Sequence, residues 1–276
     1  MNGTRTTLTV ESPDLVGRDQ ELARLEHRLN GAISGRGSMV AIVGEPGIGK
    51  TRVTREFMER ARSRGVTVLK GRGSASGPRL SYAPLAEALT EYVSSAEPQA
   101  LQEDLPREPG PILRLVPALI QRLPDMAEPA ADSFDEDPPG LFDAVSQFLT
   151  KASARTPIVM ALDDLQWAGR GTIEMLRHLV PAVASGHILI VGAYREAELR
   201  QQVAGALDVL RNEPNYECAL LGGLPRDDIA RLVRVGRHRC PENMLKAIEE
   251  ETKGNPSLIL QALVHLAEAG IEGLSD

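Results

Sequence analysis

The octapeptide GEPGIGKT, residues 44–51, decides the fold that we expect for this chain. It directly follows the apolar run MVAIV, residues 39–43, and precedes a segment with helical periodicity. Its glycines, lysine and threonine satisfy the spacing G-x-x-x-x-G-K-S/T. Glycines at these positions allow backbone N–H groups to turn inward around phosphate oxygens, and the N-terminus of the following helix adds partial positive charge. The octapeptide therefore predicts a phosphate-binding loop between a strand and a helix.

Strand-like and helix-like segments alternate on both sides of this loop. Five runs are typical of buried strands, at residues 38–44, 66–71, 157–164, 187–195 and 216–223. Helical segments separate them, and the first helix is predicted to bury one apolar stripe, formed by Leu22, Leu25, Leu29 and Ile33. This order predicts an α/β fold, in which a parallel sheet is flanked by helices in three layers.

The chain is predicted to divide into a tail, a core domain and a helical lid. The tail is residues 1–14, the core is residues 15–222, and residues 223–276 contain three helices without strands. The boundary is placed near Gly222 and Gly223. Within the core, prolines break residues 98–124 into short pieces, and the acidic, proline-rich residues 127–140 are predicted to form a solvated loop.

Composition restricts the classes of partner. The 276 residues carry a formal net charge of -7, which argues against a surface that neutralises nucleic-acid phosphates. No apolar run approaches the length of a membrane span. The two cysteines, Cys218 and Cys240, are predicted to be buried thiols in a reducing cytoplasm. We therefore expect a cytoplasmic protein that binds no membrane and makes no direct contact with nucleic acid through this chain.

Charged residues follow two of the predicted strands. Asp163 and Asp164 come directly after the third strand, and ligands bind at the carboxyl ends of strands in open parallel sheets. We predict that Asp163 holds Mg²⁺ together with Thr51, that Asp164 orients the attacking water, and that Lys50 reaches the outer phosphates. Asp164 taken alone is also explained as a helix cap. Arg195, after the fourth strand, is predicted to sense the terminal phosphate or to be an ordinary surface arginine.

Six motifs in this sequence occur in the order found in the STAND class of signal-transduction NTPases. The resemblance is strongest to the ATPase domain of large, MalT-like LuxR-family bacterial transcription regulators, and it spans residues 15 to about 266. The motifs are LVGRDQEL at 15–22, GEPGIGKT at 44–51, SYAPLAEAL at 81–89, LDDLQWA at 162–168, GAYR at 192–195 and GNPSLI at 254–259.

The resemblance implies a P-loop NTPase fold of the AAA+/STAND type that binds ATP or ADP with Mg²⁺. It implies that Val16, Gly17 and Arg18 lie against the nucleotide and that Pro256, carried by the lid, closes over the adenine. The implied nucleotide-binding loop comprises Gly44, Glu45, Pro46, Gly47, Ile48, Gly49, Lys50, Thr51 and Arg52. Such regulators continue into sensor and DNA-binding domains, so we expect an excised portion of a longer protein or a natural short form.

Four functions remain open from the sequence. The leading interpretation is a slowly hydrolysing, ATP-dependent molecular switch in a bacterial signal-transduction regulator, with self-association that depends on nucleotide. The alternatives are a mechanical AAA+ ATPase of the origin-binding type and a scaffold that binds nucleotide without hydrolysis. A small-molecule kinase ranks last, because the sequence indicates no second substrate site.

Overall fold

The five predicted strands form one parallel sheet in the computed structural model, which describes residues 15–75, 81–124, 126, 138–235 and 241–268. The strand order is β2-β3-β4-β1-β5, and every pairing is parallel. The five-stranded parallel sheet with helices on both faces confirms the predicted α/β fold class. The strands are β1 Ser38–Val43, β2 Thr67–Arg72, β3 Ile158–Asp163, β4 Ile188–Tyr194 and β5 Tyr216–Leu220.

Helices fill the connections between the strands and continue after the last one. In the region broken by prolines, three short helices form where short pieces were predicted, and each has proline at or next to its start. The helices are α1 Asp19–Ile33, α2 Lys50–Ser63, α3 Ala83–Ser95, α4 Pro98–Asp104, α5 Gly110–Leu115, α6 Ala118–Arg122, α7 Pro138–Arg155, α8 Arg170–Ala182, α9 Gln201–Leu210, α10 Arg226–Val235, α11 Glu242–Thr252 and α12 Pro256–Glu268.

Alternation along the strands divides the core into two layers, one on each face of the sheet. On β1, Val40 and Ile42 pack with the apolar faces of α1 and α2. Met39 and Ala41 point to the other face, into the larger cluster formed with α3 to α9. Helices α10 to α12 share a separate apolar cluster, and Val16 from the start of the described chain packs into it. The phosphate-binding loop therefore lies between the sheet and this C-terminal helical unit.

Three expectations about burial need correction or restriction. Ile33 is 36% exposed, because Ala32 takes the buried position in the last turn of α1. Cys218 is exposed, since it lies on β5 at the edge of the sheet; Cys240 is outside the described residues. Most of the predicted acidic loop, residues 127–137, is also outside them, while its last residues, 138–140, already belong to α7.

Helix α3 covers the edge of the sheet at β2. The backbone N–H groups of Lys70 and Arg72 donate to the carboxylates of Glu91 and Glu87, at 2.7 and 2.8 Å. These two acids lie one helical turn apart, so they match the spacing of alternate N–H groups along the strand. The contacts bind groups that an edge strand otherwise leaves unpaired, while pairing along the other side of β2 places its end beside the end of β3.

Candidate functional site

The phosphate-binding loop runs from the end of β1 to the start of α2, as the octapeptide predicts. Gly47 and Gly49 have φ angles of 76° and 105°, in the left-handed region that favours glycine. Gly49 stands just before the first residue of α2, so the helix N-terminus opens directly behind the loop. A Cβ atom on Gly44 would lie 2.9 Å from the carbonyl oxygen of Leu221, so the loop requires glycine there as well.

Lys50 closes the loop on itself. Its Nζ donates to the carbonyl oxygens of Gly44 and Glu45, at 2.8 and 2.9 Å. Burial lowers the pKa of Lys50, and the positive charge of Arg195 lowers it further, while Asp163 and Asp164 oppose the shift. The ammonium group thus lies between the loop and the charged residues at the end of β3.

The two predicted Mg²⁺ ligands lie in contact. Thr51 donates through Oγ1 to Oδ2 of Asp163 at 2.8 Å, and the other carboxylate oxygen of Asp163 accepts from the N–H of Asp164. Mg²⁺ commonly takes one or two protein oxygens and completes its coordination with water and phosphate oxygens. A hydroxyl and a carboxylate at hydrogen-bond distance, beside a phosphate-binding loop, match that donor set.

Asp164 is held by an arginine that the sequence analysis did not assign to the site. Both Nε and a terminal nitrogen of Arg72 donate to Oδ2 of Asp164, at 2.8 and 2.6 Å, and Gln166 donates to Oδ1 at 2.9 Å. Burial raises the pKa of Asp164, but the hydrogen bonds from Arg72 and Gln166 and the charges of Arg72 and Arg195 lower it more. Asp164 is therefore held ionised, with a left-handed backbone at φ 53°.

Gln166 connects Asp164 to Arg195. Its amide oxygen accepts from the backbone N–H of Arg195 at 3.2 Å, and its amide nitrogen binds Asp164. The Arg195 guanidinium forms an ion pair with Glu198 at 2.8 Å.

The signal for Arg72 was its place at the end of β2, directly opposite Asp163 in the register of the sheet. Gln166 stood in the LDDLQWA motif without a role.

The segment Val16–Gly17–Arg18 contributes in three different ways. Val16 lines the cavity described below and also packs with the C-terminal helices. Arg18 is 8% exposed, and one of its guanidinium nitrogens donates to the carbonyl oxygens of Ile48 and Gly222, at 3.0 and 2.8 Å. Gly17 is not among the residues that line the cavity; it packs so closely against Asp228 of α10 that a Cβ atom would lie 2.5 Å from the carboxylate.

The start of α12 contacts the phosphate-binding loop directly. Nδ2 of Asn255 donates to the carbonyl oxygen of Pro46 at 2.9 Å. The backbone N–H of Ser257 lies 3.3 Å from the carbonyl oxygen of Gly47. Between them, Pro256 lines the cavity. The C-terminal helices thus meet both the loop and the space beside it.

A cavity of about 360 Å³ lies between the loop, the end of β3 and the C-terminal helices. Its lining combines apolar side chains with charged and polar groups, as expected for a ligand with a flat ring and a polyanionic tail. The apolar lining is Leu15, Val16, Leu224, Leu232, Pro256 and Leu260. The remaining lining is Arg18, Gly47, Ile48, Gly49, Lys50, Thr51, Arg52, Asp164, Arg195 and Ser257.

Some predicted residues do not line this cavity, and some lining residues were not predicted. Gly17, Gly44, Glu45, Pro46 and Asp163 are not part of the lining. Leu15, Leu224, Leu232, Leu260 and Ser257 were missed. For Leu232 and Leu260 the reason is that an apolar residue on a helix carries the same pattern whether it faces a core or a ligand. A second cleft of about 440 Å³ shares Asp164 and Arg195 with the first and is further lined by Arg72, Gly73, Ser74, Ala75, Glu87 and Trp167.

Comparison with known families identifies this arrangement. A family model described as an AAA ATPase domain matches residues 14–191, which is more than half of the chain. The chain belongs to the AAA ATPase domain family. The matched range contains the phosphate-binding loop, both aspartates and most of the sheet, so membership indicates a nucleotide-binding ATPase domain.

Relatives of this AAA ATPase domain differ in length and in what is known of them. An uncharacterized protein of Rhizobium meliloti (strain 1021) is 27% identical over 198 residues, which is 66% of this chain and 18% of that protein. The ORC2 protein of Aeropyrum pernix, solved as ADPNP-ADP complexes, has a TM-score of 0.50 at 16% identity, over 95% of this chain and 66% of that one. At this identity the likeness shows the shared fold.

A STAND protein of Pyrococcus horikoshii, with a tetratricopeptide repeat sensor, has a TM-score of 0.49 at 17% identity. The match covers 88% of this chain and 29% of that protein. The AAA ATPase domain therefore spans less than a fifth of its curated relative and less than a third of this solved structure. Within the described residues of the domain, no helix is both long enough and apolar enough to cross a membrane.

Proposed function

We propose that this AAA ATPase domain is an ATP-dependent molecular switch whose slow hydrolysis resets a signal. The observation that carries the proposal is the cavity between the loop and the C-terminal helices, because both elements line the same space. A nucleotide in that space would contact both elements. ATP and ADP then favour different arrangements of the two elements to the extent that their contacts differ.

The residues of the site are suitable to hold Mg²⁺ and a nucleoside triphosphate. Thr51 and Asp163 would hold Mg²⁺, which supplies positive charge next to the phosphates. The ammonium group of Lys50 would leave the carbonyl oxygens of Gly44 and Glu45 and donate to the outer phosphates instead. Asp164, held ionised by Arg72, would accept a hydrogen bond from the attacking water, and Arg195 would contact the terminal phosphate.

The adenine would occupy the apolar part of the cavity. Leu15, Val16 and Leu224 line the cavity from outside the helices, and Pro256 and Leu260 line it from α12. When the lid moves, the contacts between the adenine and these apolar side chains would change. The base, like the phosphates, would then contribute to the difference in free energy between the two states.

We further propose that the domain belongs to a cytoplasmic bacterial transcription regulator of the LuxR family. The six motifs support this, and the greater length of the curated relative is consistent with sensor and DNA-binding domains beyond the ATPase domain. In that setting, the nucleotide state of this domain would control self-association of the regulator. The isolated domain would contact nucleotide and its own neighbouring domains, with no direct contact to DNA.

A mechanical ATPase of the origin-binding type is the second candidate function. The chain shares its fold with the ORC2 protein. An enzyme of the origin-binding type would hydrolyse ATP faster when DNA is bound. A scaffold without hydrolysis is the third. Steady-state ATP turnover with and without duplex DNA separates the three: slow turnover insensitive to DNA supports the switch, stimulation by DNA supports the motor, and no turnover supports the scaffold.

Nucleotide binding itself is tested with Lys50→Ala. Ligand at a hundred times its dissociation constant stabilises a fold by about 2.7 kcal/mol, so the melting temperature of the wild type should rise with Mg-ATP or Mg-ADP. The Lys50→Ala protein should show little of this rise. Lys246→Ala is the matched control, because Lys246 is exposed on α11, where it pairs with Glu250. An equal rise in Lys50→Ala and wild type would remove the loop from the binding site.

A further inference from the structure

The carbonyl oxygens of five consecutive loop residues, Gly44 to Ile48, all accept hydrogen bonds. Lys50 donates to the first two. The next three accept from groups outside the loop, namely Nδ2 of Asn255, the N–H of Ser257 and the guanidinium of Arg18. Two of these three external donors therefore come from the start of α12.

Holding a carbonyl also orients the N–H group of the next residue. The C=O of one residue and the N–H of the next share a planar peptide unit and point in opposite directions. The bond from Asn255 to Pro46 therefore sets the direction of the Gly47 N–H. Loop N–H groups are the donors that surround phosphate oxygens, so their directions decide how well the loop binds phosphate.

The contact between Asn255 and the loop is closely packed on both sides. Asn255 is 6% exposed, and its Oδ1 accepts from the N–H of Ser257 at 3.1 Å. A Cβ atom on Gly47 would lie 2.6 Å from Cβ of Ser257 and 3.0 Å from Oδ1 of Asn255. Gly47 is thus glycine for two reasons, its φ angle of 76° and the approach of α12.

We infer that Asn255 is a positioning residue for the phosphate-binding loop, acting on the phosphates through the peptide between Pro46 and Gly47. This inference rests on the proposed nucleotide-binding function and adds a second route by which the lid acts. Lid movement changes contacts with the base through Pro256. It also releases the Pro46 and Gly47 carbonyls, so an open lid leaves a loop that binds phosphate more weakly.

A ligand without a base separates the two routes. Asn255→Asp keeps the shape and the acceptor for the Ser257 N–H but removes the donor to Pro46. We expect the affinities for Mg-pyrophosphate and for Mg-ADP, measured by calorimetry on the full chain, to fall by the same factor of about three to ten, since a hydrogen bond contributes about 0.5–1.5 kcal/mol. Asn255→Ala should reproduce the effect without adding a charge.

Controls make the outcomes distinct. Leu258→Ala, at a 45% exposed position in the same helix, should bind both ligands like the wild type. Melting without ligand shows whether each variant is folded. If folded Asn255 variants bind pyrophosphate like the wild type, the inference is overturned, even if ADP binding weakens. If the wild type binds neither pyrophosphate nor ADP, the proposed function itself fails.

Discussion

At the scale of single residues, the aspartate pair has two different environments. Asp163 contacts Thr51, whereas Asp164 is held by Arg72 and Gln166. The end of β3 thus places one carboxylate beside the phosphate-binding loop and the other beside the guanidinium of Arg72. The sequence showed two adjacent acids, and we propose different roles for them because their hydrogen-bond partners differ.

These roles predict different phenotypes for the two Asp→Asn variants. Asp164→Asn should bind Mg-ATP like the wild type but lose at least about 100-fold in turnover, because a neutral amide cannot stabilise the positive charge that develops on the attacking water. Asp163→Asn should still bind nucleotide, with an affinity that depends less on Mg²⁺. Binding is measured by calorimetry with and without Mg²⁺, and turnover by phosphate release. Asp208→Asn, exposed on α9, is the control. Unchanged turnover in Asp164→Asn would exclude it from the mechanism.

At the scale of elements, one buried polar cluster joins three helices away from the cavity. Asp104, at the end of α4, is fully buried and accepts from Tyr92 of α3 and from Arg155 of α7. Burial, together with the hydrogen bond to Asp104, raises the pKa of Tyr92 to about 12. The cluster fixes α4, the first short helix of the proline-rich region, against α3 and α7.

This cluster predicts a loss of stability at high pH. Between pH 10 and about 12 the folded state keeps the Tyr92 proton while the unfolded chain loses it, so the free energy of unfolding falls as pH rises. Tyr92→Phe should lose about 1–3 kcal/mol near neutral pH, because Asp104 loses a donor, and should show a shallower decline above pH 10. Urea titrations at several pH values measure both. In Tyr92→Phe the free energy of unfolding still declines somewhat above pH 10, because burial also raises the pKa of Tyr216. The same decline with pH in the wild type and in Tyr92→Phe would show that Tyr92 does not cause the loss of stability.

The position of α12 predicts that the lid controls nucleotide release. Pro256→Gly removes the ring that lines the cavity, while the contacts of Lys50 and Thr51 remain. ADP should dissociate about fourfold faster for each methylene group whose burial is lost, at about 0.8 kcal/mol each. Stopped-flow displacement of a fluorescent ADP analogue measures this rate. A folded variant with the rate of the wild type would show that the lid does not limit release.

At the scale of the whole molecule, charge decides the expected partners. With a formal net charge of -7, the chain lacks the excess of lysine and arginine that binds phosphate backbones. We predict no sequence-specific DNA binding by this chain, measured by fluorescence anisotropy with duplex DNA at 50 and 200 mM salt. Sequence-selective binding that persists at the higher salt would contradict this and favour the origin-binding function.

The sequence by itself determined the fold class, the five strands and the loop. These features are local: GEPGIGKT needs only its own glycines and flanking elements, and fully buried strands are visible as continuous apolar runs. Thr51 and Asp163 are 112 positions apart, but their contact could be expected, because ligand-binding groups of an open parallel sheet gather at the carboxyl ends of its strands.

Only the tertiary structure decided which residues complete the site. Arg72 and Asp164 are 92 positions apart, and Asn255 and Pro46 are 209 apart, so their contacts depend on how strands and helices pack. Part of the apolar lining was hidden for the same reason, because Leu232 and Leu260 have the helical spacing of ordinary core residues. Periodicity shows that a side chain is buried; what covers it is determined by the packing of the other elements.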